Sequence, residues 1–281
     1  MSIKHEEWMA EHGFSYENEE VKQTRSNDEE FLAKYARSFM PLLKMPSSNQ
    51  SSFKYKDMKD IPPNLDWRDH NAVTPVKSQG GCGVCWAFAP VAAIEGIIAI
   101  RSCKLTQLSE QHILDCNYEH SGCKGGRMDL AFAFVVKNGG LACAADYPYT
   151  ATHGVCADNI PSSLSPKIIG LVYIPKNNEA ALLEAVANQP VSVNIDASVF
   201  QFYRSGVYTG ECETNINHSV AIVGYGESED GVKYWLIKNS WGREFGDDGY
   251  FKLRRDVGTK EGMCGIAMFG CYATVDSSTF S

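Results

Sequence analysis

The pattern of apolar positions changes character part-way along the chain. Residues 85–100 are apolar on nearly every side, as in a helix buried all round, with Gly96 the one small interruption. Ser109 is a natural N-cap for a helix opened by Glu110 and Gln111. A third helix spans 126–137 and stops at Asn138-Gly139, and Asn178 caps a short fourth that ends before Pro190. Beyond this, short runs rich in β-branched and aromatic residues predict strands over 191–195, 219–223, 234–237 and 249–253. Helices first and strands later predict an α+β fold of two lobes, without internal repeats.

Residues 1–60 differ from the rest. They hold two charged helical stretches, 5–13 and 28–38, then a Ser/Asn/Gln linker over 46–52, and they contain no cysteine. Followed by Ile61-Pro62-Pro63, this leader reads as a removable segment or a flexible tail.

Composition narrows the classes. With 281 residues, 44% hydrophobic and 21% charged, the chain can bury a real core and is neither disordered nor fibrous. A net charge of −8 and the lack of any basic run argue against nucleic acid as partner. The apolar runs fall short of the roughly 20 residues of a membrane span, so no membrane is expected. Ten cysteines, all from Cys82 to Cys271 and several beside turn residues, point to an oxidising compartment. The first eight residues have no apolar stretch, so no signal peptide is read in the chain. The two indications disagree, and the cysteine pattern carries more weight because a leader is easily removed.

The chemistry concentrates at Gln79-Gly80-Gly81-Cys82-Gly83-Val84-Cys85-Trp86, a glycine-rich loop entering the buried helix. A thiol in a first helical turn faces unpaired N–H groups and the positive end of the helix dipole, which favour thiolate. An arbitrary cysteine is more often inert or half of a disulfide. A base is therefore needed to single this one out. If strands 219–225 and 232–237 close a four-residue hairpin at 227–230, His218 faces Asn239, Val220 faces Ile237 and Ile222 faces Trp235. An imidazole held by an amide can take the Cys85 proton and persist as imidazolium beside the thiolate.

Taken together, residues 79–88, Gly122-Cys123-Lys124-Gly125-Gly126, the block 217–226 and Lys238-Asn239-Ser240-Trp241-Gly242 resemble the papain-like cysteine proteases of plant type, over about residues 61–275. His218 and Asn239 stand 133 and 154 residues after Cys85, matching a known spacing of that family of roughly 130 to 150 rather than predicting it. The resemblance implies a two-lobed papain-like fold. Residues 61–170 would form a mainly helical lobe carrying Cys85, residues 171–281 an antiparallel, barrel-like sheet lobe carrying His218 and Asn239, and the active cleft would lie between them. It implies peptide-bond hydrolysis through a thioester, with no metal or cofactor. Gln79 matches the glutamine that binds the oxyanion with the Cys85 N–H, and Trp241 the indole covering the His/Asn hydrogen bond. Cys82 with Cys123, Cys116 with Cys156 and Cys212 with Cys264 match the family disulfides. Of Cys103, Cys143 and Cys271, the first two are expected to pair.

Substrate-binding positions carried over are Gly125, Gly126, Arg127, Met128, Asn194, Ile216, Asn217, Ser219, Trp241 and Phe269. Phe269 would shorten the pocket for the side chain two residues before the scissile bond, favouring medium apolar groups. Expected partners are peptide or protein substrates, the chain's own pro-segment and cystatin-like inhibitors, acting on a monomer. The implied location is vacuolar, lysosomal or secreted.

Several features depart from the family pattern. Val84 replaces a small residue, Phe245 replaces a customary Trp on the cleft rim, and Pro90 is expected to kink the helix one turn beyond Cys85. The leader matches the start and end of an inhibitory pro-segment but lacks its helical middle, so it is expected to inhibit weakly. Two rival readings follow. One is a catalytically impaired homologue serving storage or binding. The other is a thiol-disulfide oxidoreductase using Cys82-Gly83-Val84-Cys85 as a C-x-x-C motif. Of two sequons, Asn49 in the linker is expected to be open to glycosylation and Asn217 to be shielded.

Overall fold

The structure, a computed structural model, describes residues 53–276 except 57, 59, 158–164 and 166. The expected helices 5–13 and 28–38, the 46–52 linker and Asn49 lie outside the described residues. Helix α1 (Cys85–Ser102) is buried on nearly all sides and runs unbroken through Pro90. An interior proline costs about 3 kcal/mol; packing on every face holds the helical path, and the expected kink does not interrupt it. At 18 residues α1 is long and apolar enough to cross a membrane by length and composition, contrary to the sequence expectation, but most of it is buried within the protein.

The shorter helices follow their caps. Helix α2 (Glu110–Cys116) starts where Ser109 Oγ accepts from the His112 N–H at 3.0 Å. Helix α3 (Met128–Asn138) closes on Gly139 in the left-handed region, φ 78°. Helix α4 (Glu179–Val186) is capped by Asn178 Oδ1, which accepts from the Ala181 N–H at 2.9 Å.

Among the described residues eight strands form one sheet: β1 (Leu65–Asp66), β2 (Ile168–Tyr173), β3 (Val191–Ile195), β4 (Val207–Tyr208), β5 (His218–Glu227), β6 (Lys233–Lys238), β7 (Tyr250–Arg254) and β8 (Gly270–Val275). The order is β2-β8-β3-β5-β6-β7-β4, with β1 added against β5. Every pairing is antiparallel except β4 with β7. One core lies within the sheet region around Val193, Trp235 and Phe251. A second surrounds α1 around Trp86, Ile94 and Phe132, and draws Ile216, Phe269 and Cys271 from the sheet region. Helix α1 touches α2, α3, β3, β5 and β8, so it is the shared wall of both halves.

The β5–β6 hairpin corrects the expected register. Ala221 lies opposite Lys238 and Ile222 opposite Ile237; after a bulge, Gly224 faces Leu236, Tyr225 faces Trp235 and Glu227 faces Lys233. The turn is displaced because Gly231 takes φ 75° and donates to Ser228 O at 2.9 Å, while Ser228 N donates to Val232 O at 3.0 Å. Pairing therefore extends to Glu227, and the bulge takes up a residue. Asn239 lies beyond β6 and donates its N–H to Gly249 O at 3.1 Å, so it is not the backbone partner of His218.

Disulfides join Cys82 to Cys123, Cys116 to Cys156 and Cys212 to Cys264. The expected Cys103–Cys143 bridge is absent. Cys103 is exposed in the left-handed position closing α1, while Cys143 is drawn into an antiparallel bridge with Leu108; Cys271 is a buried thiol. Three disulfides mark a protein that folds in an oxidising compartment. At the N-terminal side, Phe53 and Tyr55 pack against the sheet core, and Tyr55 Oη donates to Gln189 Oε1 at 3.0 Å. The body therefore takes in residues before the expected leader boundary at 60.

Gly96 explains itself in this packing. A Cβ there would lie 2.5 Å from Pro190 Cγ and 3.0 Å from Ala72 O. Gly96→Ala gains about 1 kcal/mol of helix propensity but meets an overpacking cost of about 1–3 kcal/mol. A net loss of stability is expected, read as a lower urea midpoint; a raised midpoint would contradict the packing argument.

Candidate active site

Cys85 is the first residue of α1, and Val84 before it makes no side-chain cap. The loop leading in is pinned from several directions. Gly83 N donates to Cys123 O at 2.9 Å beside the Cys82–Cys123 disulfide, and Val84 N donates to Cys82 O at 2.8 Å. Gly80 takes φ 58°, which turns the loop back on itself. Cys85 is buried and stands outside the three disulfides. The partial positive charge of the helix start falls directly on this residue.

Strand β5 begins at His218 and packs on α1. His218 Nε2 and Asn239 Oδ1 are 2.8 Å apart, a diagonal side-chain contact where the expected register had a directly facing pair. Asn239 Oδ1 also accepts from the Ser240 N–H at 2.8 Å, which fixes the amide orientation. Nε2 must therefore donate, and the neutral ring carries its lone pair on Nδ1. That Nδ1 is buried and has no hydrogen-bond partner among the described residues. Trp241 lies over the ring, centroids 4.7 Å apart, and Phe245 meets Trp241 edge-on at 4.9 Å. Phe245 is a buried support beneath Trp241, 4% exposed, and not the rim residue expected. Burial pushes the His218 imidazolium down to about 4, opposed by the hydrogen bond to Asn239.

Gln79 joins the two sides. Its N–H donates to Ser240 O at 2.8 Å and its Oε1 accepts from Ser240 Oγ at 2.7 Å. Its Nε2 donates to Cys82 O at 3.0 Å, and its carbonyl accepts from Tyr149 Oη at 2.7 Å. Ser78 and Trp241 form a further antiparallel bridge. The segment carrying Gln79 is thus stitched to the segment carrying Asn239 and Trp241.

The carried-over pocket positions separate into groups. Met128, Ile216 and Phe269 share the apolar cluster around α1. Asn194 and Ser219 face each other across β3 and β5, and Ser219 Oγ donates to Asn194 Oδ1 at 2.8 Å. Arg127 forks onto Asp129 at 3.0 and 2.6 Å, and Tyr173 Oη donates to the same carboxylate at 3.0 Å while its ring lies 6.0 Å from that of Phe269. Asn217 is directed elsewhere: its Oδ1 accepts from the Ala197 N–H at 2.9 Å and its Nδ2 donates to Ser198 Oγ at 3.1 Å, so its side chain shapes the 196–198 loop. Those bonds also occupy the amide of the Asn217 sequon. Gly125 has φ 120°. A Cβ on Gly126 would lie 2.5 Å from Trp86 Cδ2, so this glycine is required by packing as well as by any approaching substrate.

Sequence reasoning gave no role to Ser240, although it stands in the quoted 238–242 block, and missed Tyr149 and Asp129, which carry no motif signal of their own. It also missed the buried charges behind the site, for which Glu95 within an apolar helix was the visible sign. Among the described residues no cluster of three or more His, Cys, Asp or Glu could hold a metal ion.

The chain is similar over most of its length to known proteins. The family model "Papain family cysteine protease" matches residues 61–274. Vignain from Vigna mungo is 48% identical over 255 residues, covering 89% of this chain and 70% of vignain. The proform of the ragweed pollen allergen Amb a 11, a cysteine protease, superposes with a TM-score of 0.84 at 39% identity, covering 97% of this chain and 92% of that one. Bromelain from Ananas comosus in complex with the E64 inhibitor superposes with a TM-score of 0.74 at 46% identity, covering 77% of this chain and all of bromelain. On the family match and on this identity over most of its length, the chain belongs to the papain family of cysteine proteases.

Proposed function

We propose that this cysteine protease is an endopeptidase in which Cys85 is the nucleophile, His218 the base and acid, Asn239 the group that orients His218, and Gln79 an oxyanion donor. The observation carrying this reading is the unpartnered, buried Nδ1 of His218. Leaving a buried polar group unpaired costs about 1–3 kcal/mol, and a proton acceptor for Cys85 gives that cost a purpose. The nucleophile would lie on the helical side, residues 61–170, and the base on the sheet side, residues 171–281.

Burial alone would keep His218 neutral at pH 5–7, since it lowers the imidazolium to about 4. A thiolate at the start of α1 supplies the missing opposite charge, and the two groups titrate as a pair. Cys85 Sγ attacks the scissile carbonyl carbon, and the carbonyl π electrons move to oxygen. That oxyanion is met by the Cys85 N–H and a Gln79 side-chain N–H. On collapse, His218 Nδ1–H protonates the departing amine and a thioester remains. Nδ1 then takes a proton from water as the water oxygen attacks the thioester; the thiolate leaves and the acid product is released.

The cluster of Met128, Ile216 and Phe269, walled by the Asn194–Ser219 pair, supports preference for a medium apolar side chain two residues before the scissile bond. Arg127, its charge matched by Asp129, would frame the rim, with Gly125, Gly126 and the Asn217 backbone along the extended substrate and Trp241 shielding the acid. Further readings of the same kind are a vacuolar, lysosomal or secreted location, a monomer, inhibition by cystatin-like proteins and weak inhibition by the leader. The oxidoreductase alternative loses its dithiol because Cys82 is bonded to Cys123. The impaired-homologue alternative loses much of its motive because α1 is unbroken at Pro90.

Cleavage of a Leu-containing fluorogenic peptide is expected to fall to background in Cys85→Ala and by about 10²-fold in Asn239→Ala, the scale of a 1 Å misplacement. Wild-type rates in Cys85→Ala would refute the assignment. In an NMR titration, removing the thiolate lowers the His218 pKa, so the ring in Cys85→Ala should titrate near 4 and that of the wild type well above it. Identical titrations would exclude the ion pair. A peptide panel varied at the same substrate position should favour Leu or Val over Arg by at least about tenfold in kcat/KM. Phe269→Ala should narrow that ratio, and an unchanged ratio would remove Phe269 from the pocket.

A further inference from the structure

Between α1 and the β5–β6 hairpin lies a group of charged side chains that the mechanism above does not use. Lys77 Nζ donates to Glu95 Oε1 at 2.8 Å, to Glu110 Oε1 at 2.7 Å and to Leu108 O at 3.0 Å. Glu95 Oε2 accepts from Thr74 Oγ1 at 2.6 Å, and Thr74 Oγ1 accepts from Lys238 Nζ at 2.8 Å. Glu95 and Glu110 are 2% exposed and Lys238 is 6% exposed. A cavity of about 20 Å³ is lined by Glu95, Glu110, Lys238 and Asn239, and the Asn239 Nδ2 is buried with no hydrogen-bond partner among the described residues.

Stability does not account for this arrangement. Each buried ion carries a desolvation penalty of several kcal/mol, and well-packed apolar replacements are often as stable or more so. Geometry suggests another use. Lys238 immediately precedes Asn239, and the chain Lys238–Thr74–Glu95 ends three helical turns along the helix that begins at Cys85. We infer that Lys238 is a positioning residue: by gripping α1 through Thr74 and Glu95, it sets where Asn239 holds His218 relative to Cys85. The inference rests on the catalytic roles proposed above.

It also has a pH signature. Burial pushes the Lys238 ammonium down to about 8; Glu95 and Glu110 oppose this and Lys77 adds to it. Lys77 is raised, because its two carboxylate partners outweigh its desolvation. Glu95 is lowered by Lys77 and Lys238 against its own burial, and Glu110 is raised by burial. Lys238 is therefore the ammonium in the group that loses its charge first as pH rises. Below about 8 it is charged and the grip is intact; above, the attraction for Glu95 is lost.

The test uses the active enzyme, normalised by E64 titration of Cys85, with kcat and KM measured on a Leu-containing peptide from about pH 5 to 10. Lys238→Met and Thr74→Val should lower kcat about 10- to 100-fold with KM within about twofold. Lys238→Arg keeps a permanent charge, so it should retain most of kcat and move the alkaline limb to higher pH. Thr74→Val leaves all four charges in place and decides the matter if Lys238→Met does not fold. Unchanged kcat in Thr74→Val, or an alkaline limb unmoved in Lys238→Arg, would overturn the inference. A wild type that neither cleaves peptide nor reacts with E64 would instead sink the catalytic assignment itself.

Discussion

Asn239 Oδ1 accepts two hydrogen bonds, one from the Ser240 backbone N–H and one from His218 Nε2. The first fixes which end of the amide is oxygen; the second then fixes which ring nitrogen carries hydrogen. Without that pair of contacts His218 could present either tautomer, and Nδ1 would have no assured lone pair. Trp241 covers the His218 ring and Phe245 backs Trp241, and a hydrogen bond shielded from water is worth more than an exposed one. The cost appears on the ring itself, whose charged form burial disfavours. A partner that is itself negative at working pH is then the natural complement, and a thiol at a helix start is one of few side chains that can become so.

For this pair to act with Cys85 as proposed, two parts of the chain must keep a fixed separation. Three kinds of contact span the gap. The backbone does so at Ser78–Trp241 and Gln79–Ser240. The sheet does so by packing β3, β5 and β8 directly on α1. The buried ion network does so at Lys77, Glu95 and Lys238. Apolar packing provides adhesion with little direction, whereas hydrogen bonds and ion pairs specify distance and angle. The directional contacts meet the loop before Cys85 at Gln79 and the helix again at Glu95, with apolar packing between and around them.

Much of this was readable before any coordinates. Ser109, Asn178 and Gly139 end or begin helices because local backbone chemistry alone determines caps, and β3, β5, β6 and β7 stand where β-branched and aromatic runs occur. Strands β1 and β4 have two residues each, too few for any periodicity to appear. Strands β2 and β8 pass between both cores, and β2 shows no clean alternation of burial along its length. The Cys103–Cys143 expectation failed because nothing in sequence spacing tells that one sulfur faces solvent while the other is held beside Leu108. The charge network showed in the sequence at one residue only, for a similar reason. Glu95 stands out in its helix, but its partners are 18 residues away at Lys77 and, through Thr74, at Lys238 on another strand.

The hairpin is the most instructive case, because the expected pairing of His218 with Asn239 rested on a register that does not form. Backbone pairing ends at Ala221 and Lys238, and His218 is paired instead with Ile195 on the other side of its strand. The two side chains nevertheless meet at 2.8 Å. What brings them together is the departure of the chain from the sheet after Lys238, where Asn239 bonds to Gly249 and turns its amide toward the start of β5. The two side chains touch, but through a different backbone arrangement from the one expected. A side-chain contact made at the point where a strand ends is set by whatever anchors the last strand residue. Here that residue is Lys238, so the geometry of the His218–Asn239 pair depends on a buried ammonium that touches neither ring nor substrate.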